Sequence, residues 1–258
     1  MSSPVPKHLR SELEYRPIPE SFLDHVIDLD VQPTIVDLPQ GPGHRAKFAS
    51  GLVTELVRLA KSESLGDPMA GTGMLAWESG LPGIALNELD LSMASYLEPL
   101  AECEVTYGPA HKVKWEREVL VFSPPYYPRT DRRTPNAHDD EKRGSVVGFR
   151  DSYNCEHPDF IGNPGGVHAI RDYRIAMSEI YEHLIVVGER MIVVTKNWWR
   201  LGVELRLDLD TILMAGDAGW TLVGRHGWEP RHSLWSRYNQ KRGGFKSVED
   251  VLVFERET

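Results

Sequence analysis

Apolar residues recur every three or four positions in several parts of the chain, and this spacing predicts amphipathic helices. The clearest runs predict helices at 50–61, at 173–184 and from 205 to Gly216 or Gly219. Two shorter helices are expected at 74–79, where Gly80 can end the helix, and at 91–97. Five helices are therefore expected between residue 50 and Gly219.

Short apolar runs lie between these helices and predict buried strands. They occur just before Asp67 and at 83–87, 119–122, 191–195, 220–223 and 251–254. Strands that alternate with helices favour an α/β fold with a mostly parallel, doubly wound sheet covered on both faces. The last two strands are expected to form a late hairpin with an antiparallel member.

Two parts of the chain do not follow this pattern. Residues 1–43 are rich in proline and polar residues, and they predict an N-terminal arm that packs on the domain. Residues 127–170 contain many Pro, Gly, Asn, Asp and Arg residues and predict a loop-rich insert. Loops of this length inside a compact domain are often functional. We therefore expect a single domain over 44–258 that carries this insert.

The composition is that of a globular protein, because 258 residues with 41% hydrophobic content can form one sizeable core. No stretch approaches the roughly 18 consecutive apolar residues of a membrane span, and the N-terminus lacks the apolar segment of a signal peptide. Cys103 and Cys155 have neither CxxC nor zinc-ligand spacing, so no metal is expected. These features predict a reduced, cytoplasmic protein.

The formal net charge of -9 disfavours nucleic acid, because phosphate binding depends on lysine and arginine. The basic residues are nevertheless grouped in two places that predict nucleic-acid contacts. The first group contains Arg129, Arg132, Arg133, Lys142, Arg143 and Arg150. The second contains Arg225, Arg231, Arg237, Lys241, Arg242 and Lys246, interleaved with Trp228, Trp235 and Tyr238. A solvated surface explains either group equally well, so the charge leaves both interpretations open.

A glycine turn follows the first predicted strand in the sequence Asp67-Pro68-Met69-Ala70-Gly71-Thr72-Gly73. Doubly wound sheets bind nucleotides at such turns, and the two glycines let a ligand approach the backbone. No phosphate-binding lysine follows them, and Asp67 suits a cationic ligand better than a pyrophosphate. Glu88 follows the next strand, at a position from which a carboxylate can accept hydrogen bonds from both hydroxyls of a ribose. The alternative is a plain structural turn.

The second motif, Ser123-Pro124-Pro125-Tyr126, directly follows the buried strand 119–122. Its prolines fix the turn and have no amide hydrogen. The Ser123 hydroxyl and the Pro124 carbonyl can then accept the two hydrogens of a planar amino group, while Tyr126 stacks on a flipped-out base. Such catalysis depends on positioning and electrostatics. The alternative is a proline turn that only closes the strand.

Together these motifs resemble those of the DNA amino-methyltransferases, which form N4-methylcytosine and N6-methyladenine. DPMAGTG is similar to their DPFxGSG motif, SPPY to their (D/N/S)-PP-(Y/F/W) motif, and His44-Arg45-Ala46-Lys47-Phe48 to their HPAKFP segment. The resemblance covers about Gly43 to the C-terminus, apart from the insert. It implies a Rossmann-like class I methyltransferase fold. It also implies S-adenosyl-L-methionine as cofactor, bound by Lys47, Phe48, the glycine motif and Glu88.

In this family, serine before the two prolines is associated with cytosine N4. We therefore expect a site-specific DNA (cytosine-N4) methyltransferase of the kind found in restriction–modification. The alternatives are an adenine-N6 enzyme, an RNA base methyltransferase and an inactive nucleic-acid-binding protein that keeps the fold. A Rossmann dehydrogenase is disfavoured because GxGxxG is missing.

The sequence departs from the family pattern at four points, one of which is the short segment between the two motifs. Met69 replaces the usual phenylalanine of the cofactor motif. The acidic residue expected after the third strand is hard to identify, since Glu102, Glu104 and Glu116 are poor candidates. No separate target-recognition domain is evident, so the insert at 127–170 or the connector at 225–246 would have to read the target.

Overall fold

The computed structural model describes residues 26–29, 50–125, 161, 169–200, 203–228 and 249–257. Its strands are β1 (Val26–Leu29), β2 (Leu65–Asp67), β3 (Ala85–Glu88), β4 (Glu104–Tyr107), β5 (Val119–Phe122), β6 (Arg190–Lys196), β7 (Trp198–Arg200), β8 (Val203–Leu205), β9 (Trp220–Trp228) and β10 (Glu249–Arg256). Its α-helices are α1 (Ser50–Ala60), α2 (Met74–Ser79), α3 (Ala94–Leu97), α4 (Ala169–Val187) and α5 (Leu207–Asp217). Short 3₁₀ helices cover Leu91–Met93 and Ala110–Lys112.

Eight of these strands form one sheet in the order β1-β9-β10-β6-β5-β2-β3-β4, and β7 and β8 form a separate two-stranded sheet. Within the large sheet, β10 runs antiparallel to both of its neighbours, and every other pairing is parallel. The described part of the chain therefore has the mostly parallel sheet with a late antiparallel hairpin that the sequence predicts.

Helices cover the two faces of the sheet, and the strand residues alternate between them. Leu120 and Phe122 of β5 belong to a core that includes α4 and α5, whereas Val119 and Val121 belong to a core that includes α1 and α2. All four side chains are buried because β5 lies inside the sheet. This double burial explains why the strand is apolar at every position.

Several element bounds differ from those predicted. Residues 83–87 are expected to form a strand, but the strand begins at Ala85 and extends to Glu88, after Gly83 has adopted a positive φ of 73°. The helix expected at 91–97 is divided into a 3₁₀ turn and α3. The late strand expected at 220–223 continues to Trp228.

Four strands are absent from the predictions made on sequence. Strand β4 has exposed or half-buried side chains at all four positions, so it lacks the apolar signal of a buried strand. Strands β7 and β8 follow β6 directly and pair only with each other. Strand β1 lies within residues 1–43 and pairs in parallel with β9, so that β1 is the last strand on this side of the described sheet. The division at residues 43 and 44 stays a prediction.

The ends of the parallel strands define the edge of the sheet that matters for function. Strands β2, β3, β5, β6 and β9 all end at this edge, and antiparallel β10 begins there, with Glu249 paired to both Lys196 and Trp228. We call it the carboxyl edge. In doubly wound sheets ligands bind outside this edge. No helix among the described residues is long and apolar enough to cross a membrane.

Candidate cofactor and amino-group site

The glycine motif forms a tight loop between β2 and α2 at the carboxyl edge. Two backbone–backbone hydrogen bonds help to hold it, from the Ala70 N–H to the Asn87 carbonyl at 2.9 Å and from the Gly73 N–H to the Ala70 carbonyl at 2.8 Å. Gly71 and Gly73 have φ values of 54° and 73°, in the left-handed region that side chains disfavour. The backbone of the loop therefore favours glycine at both positions.

Glu88 lies at the end of β3 and is joined to this loop. Its Oε2 accepts the Gly71 N–H at 2.6 Å, and its Oε1 accepts the Asp90 N–H at 2.8 Å. Burial raises the pKa of the carboxyl group, and the backbone donors at Asp90, Gly71 and Leu89 oppose that shift. Each carboxylate oxygen can accept more than one hydrogen bond, so Glu88 keeps the capacity to accept the hydroxyls of a ribose.

Asp67 ends β2 as a second buried carboxyl group. Its Oδ1 accepts the Met69 N–H at 2.9 Å. Burial raises its pKa to about 8; the Met69 N–H opposes this shift, and the negative charge of Glu88 adds to it. A cation bound beside Asp67 would offset the cost of its ionisation. The group therefore fits a positively charged amino acid better than a phosphate.

The remaining residues of the motif line the same loop. Ala70 is buried in the core that contains α1 and α2, whereas Met69 is half-buried and packs on the opposite core. Thr72 is 1% exposed, and its hydroxyl has no hydrogen-bond partner among the described residues. Pro68 contributes its carbonyl, which accepts a hydrogen bond from the Asn87 side chain at 3.1 Å.

Asn87 is a buried polar residue that the sequence predictions missed. Its side-chain amide donates to the Pro68 carbonyl and, at 2.8 Å, to the Gly108 carbonyl just beyond β4. Its Oδ1 lies 3.0 Å from the Thr106 hydroxyl, which accepts the Trp115 indole N–H at 3.2 Å. This chain of hydrogen bonds fixes the glycine loop relative to β4. The only sequence signal for Asn87 is that it is a polar residue next to Glu88 in an otherwise apolar strand.

The end of β4 explains why no acidic residue could be identified there. Tyr107 ends the strand, and the next two residues are Gly108 and Pro109. Glu104 instead begins β4, at the opposite edge, and pairs with Arg117 at 2.7 Å. The side chain of Tyr107 is 43% exposed, and burial, followed by the charges of Glu98 and Glu88, raises its pKa. An exposed aromatic ring therefore stands near Glu88 where a carboxylate was expected.

The second motif leaves the sheet from the strand beside β2. Ser123 is half-buried, Pro124 is buried and Pro125 is half-buried directly after β5. Strand β5 pairs with β2 through Leu65 and Gly66. The glycine loop and Ser123 therefore follow neighbouring parallel strands at the carboxyl edge.

Other residues predicted for the site lie outside the described part of the chain. They are Lys47 and Phe48 of the cofactor site, Tyr126 of the catalytic motif, and the basic residues Arg129, Arg132, Arg133, Arg231, Arg237, Lys241 and Arg242. Their roles stay predictions. The two segments that carry the basic residues adjoin described strands at the carboxyl edge, since one follows Pro125 and the other joins β9 to β10.

Solved structures with a similar fold include several methyltransferases. A provisionally assigned RNA methyltransferase from Pyrococcus horikoshii matches with a TM-score of 0.50 at 12% identity, over 86% of this chain and 93% of that one. The methyltransferase CcbJ from Streptomyces caelestis gives a TM-score of 0.47 at 12% identity, over 85% and 94% of the chains. A magnesium protoporphyrin IX methyltransferase from Synechocystis PCC 6803 with bound SAM gives 0.46 at 11% identity, over 81% and 79%.

At such low sequence identities, the similarity to these structures shows the fold alone. With the observed strand order, the match to the Pyrococcus structure shows that the chain has a Rossmann-like class I methyltransferase fold. No protein-family model matches the sequence, and no curated protein matches it.

Proposed function

We propose that this chain is an S-adenosyl-L-methionine-dependent DNA methyltransferase that methylates the N4 amino group of cytosine in a flipped-out base. The observation that carries the proposal is the pairing of β2 with β5. The glycine loop follows β2, and Ser123 follows β5. A methyl donor held by the loop and an amino group held at Ser123 would therefore meet at one edge of the sheet.

The cofactor half of the proposal depends on two buried carboxyl groups. When bound, S-adenosyl-L-methionine supplies a methyl group activated by its sulfonium. Glu88, already oriented by the Gly71 and Asp90 N–H groups, accepts the ribose hydroxyls. Asp67, buried at the end of β2, stabilises the cationic amino group of the methionine part. The ribose and the methionine amino group belong to the two ends of the cofactor, and the glycine loop would lie between them.

The substrate half depends on two hydrogen-bond acceptors that work without a change in their own protonation state. The Ser123 hydroxyl and the Pro124 carbonyl would accept hydrogen bonds from the two amino hydrogens and turn the nitrogen lone pair toward the methyl group. As the N–C bond forms, the S–C bond of the sulfonium would break, and the methylated nitrogen would release one amino proton to solvent. Pro125 has no N–H that could compete for these acceptors. The partial burial of Ser123 limits access of water to the amino group. The chain thus contributes positioning and electrostatics rather than a covalent intermediate.

Sequence and topology support DNA as the partner. The basic groups at 129–133 and 231–242 belong to segments that adjoin the carboxyl edge, where the amino group would react. Lysine and arginine in such segments would neutralise phosphates around a flipped base. The overall charge of -9 would then lie mainly on the rest of the molecule.

The test is a methylation assay with labelled S-adenosyl-L-methionine on duplex DNA, single-stranded DNA and RNA, followed by mass spectrometry of the nucleosides. We expect N4-methylcytosine from DNA. N6-methyladenine alone would overturn the assignment from Ser123 and favour the adenine enzyme. Product from RNA alone would identify an RNA base methyltransferase. Tight DNA binding without cofactor binding in calorimetry would identify an inactive binding protein.

A matched pair of variants connects the activity to the motif. Ser123→Ala removes one acceptor of the amino hydrogens and should lower kcat by about 100- to 1,000-fold, the typical loss for one positioned hydrogen-bonding group. Its affinity for the cofactor should stay unchanged. Ser95→Ala, on the exposed side of α3, is the control and should retain full activity. Unchanged methylation by Ser123→Ala would remove Ser123 from the mechanism.

A further inference from the structure

An ion pair that the proposed chemistry does not use joins the ends of two strands at the carboxyl edge. Nζ of Lys196 lies 3.5 Å from Oε1 of Glu249. Lys196 is the last residue of β6, Glu249 is the first residue of β10, and the two are direct partners in the antiparallel pairing. Both side chains are half-buried. Burial raises the pKa of Glu249, and the positive charge of Lys196 opposes that shift. The carboxylate thus holds an ammonium group at the edge where ligands bind.

The pair lies on the same face of the sheet as the carboxyl groups of the candidate cofactor site. Side chains alternate between the two faces along a strand, so residues two apart share a face. Lys196 and Glu249 each lie two residues from a valine of the core that contains α1 and α2. Asp67 and Glu88 likewise each lie two residues from a leucine of that core. The described strands therefore place three acidic side chains and one basic side chain, that of Lys196, on this face at the carboxyl edge.

The strand order puts Lys196 on the side of Ser123 that is away from the glycine loop. The sheet runs β6-β5-β2-β3 in this region. Ser123 follows β5, the glycine loop follows β2, and β6 pairs in parallel with β5 on its other side. Phe122 is opposite Val193, and both Ser123 and Lys196 come just after this paired level. A methyl donor held by the loop and an amino group held at Ser123 would leave the β6 side to the rest of the base.

The chemistry of the bases gives a cation at this position a use. The Watson–Crick edge of cytosine carries an amino group, an accepting ring nitrogen and an accepting carbonyl oxygen, O2. Adenine carries the amino group and the ring nitrogen, but a C–H replaces the carbonyl. Flipped bases are read through hydrogen bonds to this edge. Ser123 and Pro124 would accept from the amino group of either base, so they do not separate the two. An ammonium group has three hydrogens, of which Glu249 can accept one.

We propose that Lys196 selects cytosine: held by Glu249, its ammonium group donates a hydrogen bond to the O2 carbonyl of the flipped base. This inference rests on the proposed function. Adenine would leave the half-buried ammonium group without that acceptor. A site built around a hydrogen bond discriminates against a substrate that lacks the partner, because the polar group of the site is then left unpaired. Lys196 thus adds a direct contact to a preference that is otherwise attributed to Ser123.

The test deletes each partner of this contact in turn. The substrate is an oligonucleotide that the wild type methylates, and in a second version the target cytosine is replaced by 2-aminopyridine, which keeps the amino group and the ring nitrogen but lacks the carbonyl. We expect the wild type to lose about 10- to 100-fold in kcat/KM on the analogue, the range for a hydrogen bond to a charged group. Lys196→Met should lose a similar factor on cytosine and less than about threefold more on the analogue. Any change in the reactivity of the analogue's amino group affects both proteins and cancels in this comparison.

Arg190→Met is the matched control. Arg190 pairs with Glu255 at 3.8 Å across the same two strands, but at the opposite edge of the sheet. This variant should keep the wild-type ratio between the two oligonucleotides. If Lys196→Met does not fold, its combination with Glu249→Gln serves instead, because it removes the carboxylate that would be left unpaired.

Adenine at the target position gives a second readout. In Lys196→Met, kcat/KM for adenine relative to cytosine should rise by about tenfold, because the selective contact is gone. Losses in Lys196→Met and on the analogue that simply multiply, as they should in Arg190→Met, would overturn the inference and leave the proposed function intact. A wild type that forms only N6-methyladenine would overturn both the choice of cytosine and this role of Lys196. A wild type that methylates no nucleic acid would refute the proposed function itself.

Discussion

The backbone N–H of Gly71 donates a 2.6 Å hydrogen bond to the Glu88 carboxylate, which connects the two halves of the candidate cofactor site. Gly71 belongs to the loop after β2, and Glu88 ends the neighbouring strand β3. The contact does two things at once. It fixes the glycine loop, and it orients a buried carboxylate before any ligand is bound. A site arranged in advance in this way loses little free energy to ordering on binding.

Replacing Glu88 by glutamine should weaken cofactor binding by about 10- to 100-fold, because hydrogen bonds to a charged group contribute about 1.5–3 kcal/mol. The amide keeps only one oxygen, so Glu88→Gln cannot accept both the Gly71 and the Asp90 N–H groups. Isothermal titration with S-adenosyl-L-methionine measures the change. Glu102→Gln, at an exposed position before β4, is the control and should bind like the wild type. Equal affinities in all three proteins would exclude Glu88 from the cofactor site.

The loop backbone itself can be tested at Gly73. Its φ of 73° is unfavourable for alanine, and an added Cβ would lie 2.8 Å from the side chains of both Leu97 and Leu100. We expect Gly73→Ala to lower the free energy of unfolding by about 2–4 kcal/mol, the sum of backbone strain and overpacking. Chemical denaturation measures this change.

Gly83 provides a matched control for that substitution. It has the same φ of 73°, but no atom lies within 4 Å of an added Cβ. Gly83→Ala should therefore report the backbone cost alone, about 1 kcal/mol. If both variants lost the same stability, contact with Leu97 and Leu100 would not limit the loop.

The buried amide of Asn87 should be as sensitive as the carboxylate next to it. Asn87→Asp has nearly the same shape, but it replaces the donor that serves the Pro68 and Gly108 carbonyls by an acceptor. The buried Pro68 carbonyl would lose its partner at a cost of about 1–3 kcal/mol, and the half-buried Gly108 carbonyl would lose its partner at a smaller cost. We expect a lower melting temperature and weaker cofactor binding, both recovered in part at low pH, where the new carboxyl group is protonated and can donate. A melting temperature equal to that of the wild type would show that the amide does not hold the loop.

The sequence predicted best those elements whose side chains are buried on both faces. Strand β5 was predicted with its observed bounds because Val119–Phe122 is apolar throughout and leads directly into Ser123. Strand β4 was missed because its side chains at the edge of the sheet are exposed or half-buried, and their pattern resembles that of a loop. The absence of an acid after this strand could be suspected from sequence. Only the structure shows that an exposed Tyr107, followed by Gly108, stands at that position instead.

Polar contacts over long sequence distances could not be predicted. Arg225 binds Asp208 and Asp250, which are 17 and 25 residues away in the chain. The 17-residue spacing corresponds to neither a helix turn nor a hairpin. Arg225 and Asp250 do lie in the two strands of the late hairpin, but that pairing alone does not predict that their side chains meet. Asn87 likewise contacts Pro68, which lies 19 residues earlier, only because β2 and β3 are neighbours. The glycine motif and Glu88 could be predicted from sequence because both lie at the ends of predicted strands.

Asp67 should make stability depend on pH in a direction opposite to that of most acidic residues. Its folded pKa is raised to about 8 from a reference value of 3.8. Between these values the folded protein retains a proton that the unfolded chain has released, so the free energy of unfolding falls as the pH rises. The contribution of one such group reaches about 1.4 kcal/mol for each pH unit. Asp67→Asn keeps an oxygen that can accept the Met69 N–H, and it removes this dependence.

Denaturation of both proteins between pH 4 and pH 8.5 measures the effect as a difference. Asp67→Asn should be close to the wild type at pH 4 and should become more stable than the wild type as the pH approaches 8. Glu63→Gln, at an exposed position just before β2, should follow the wild type throughout. A saturating cationic cofactor should reduce the gap, because it favours the charged form of Asp67. A difference between Asp67→Asn and the wild type that did not change with pH would show that Asp67 already carries its charge in the folded protein.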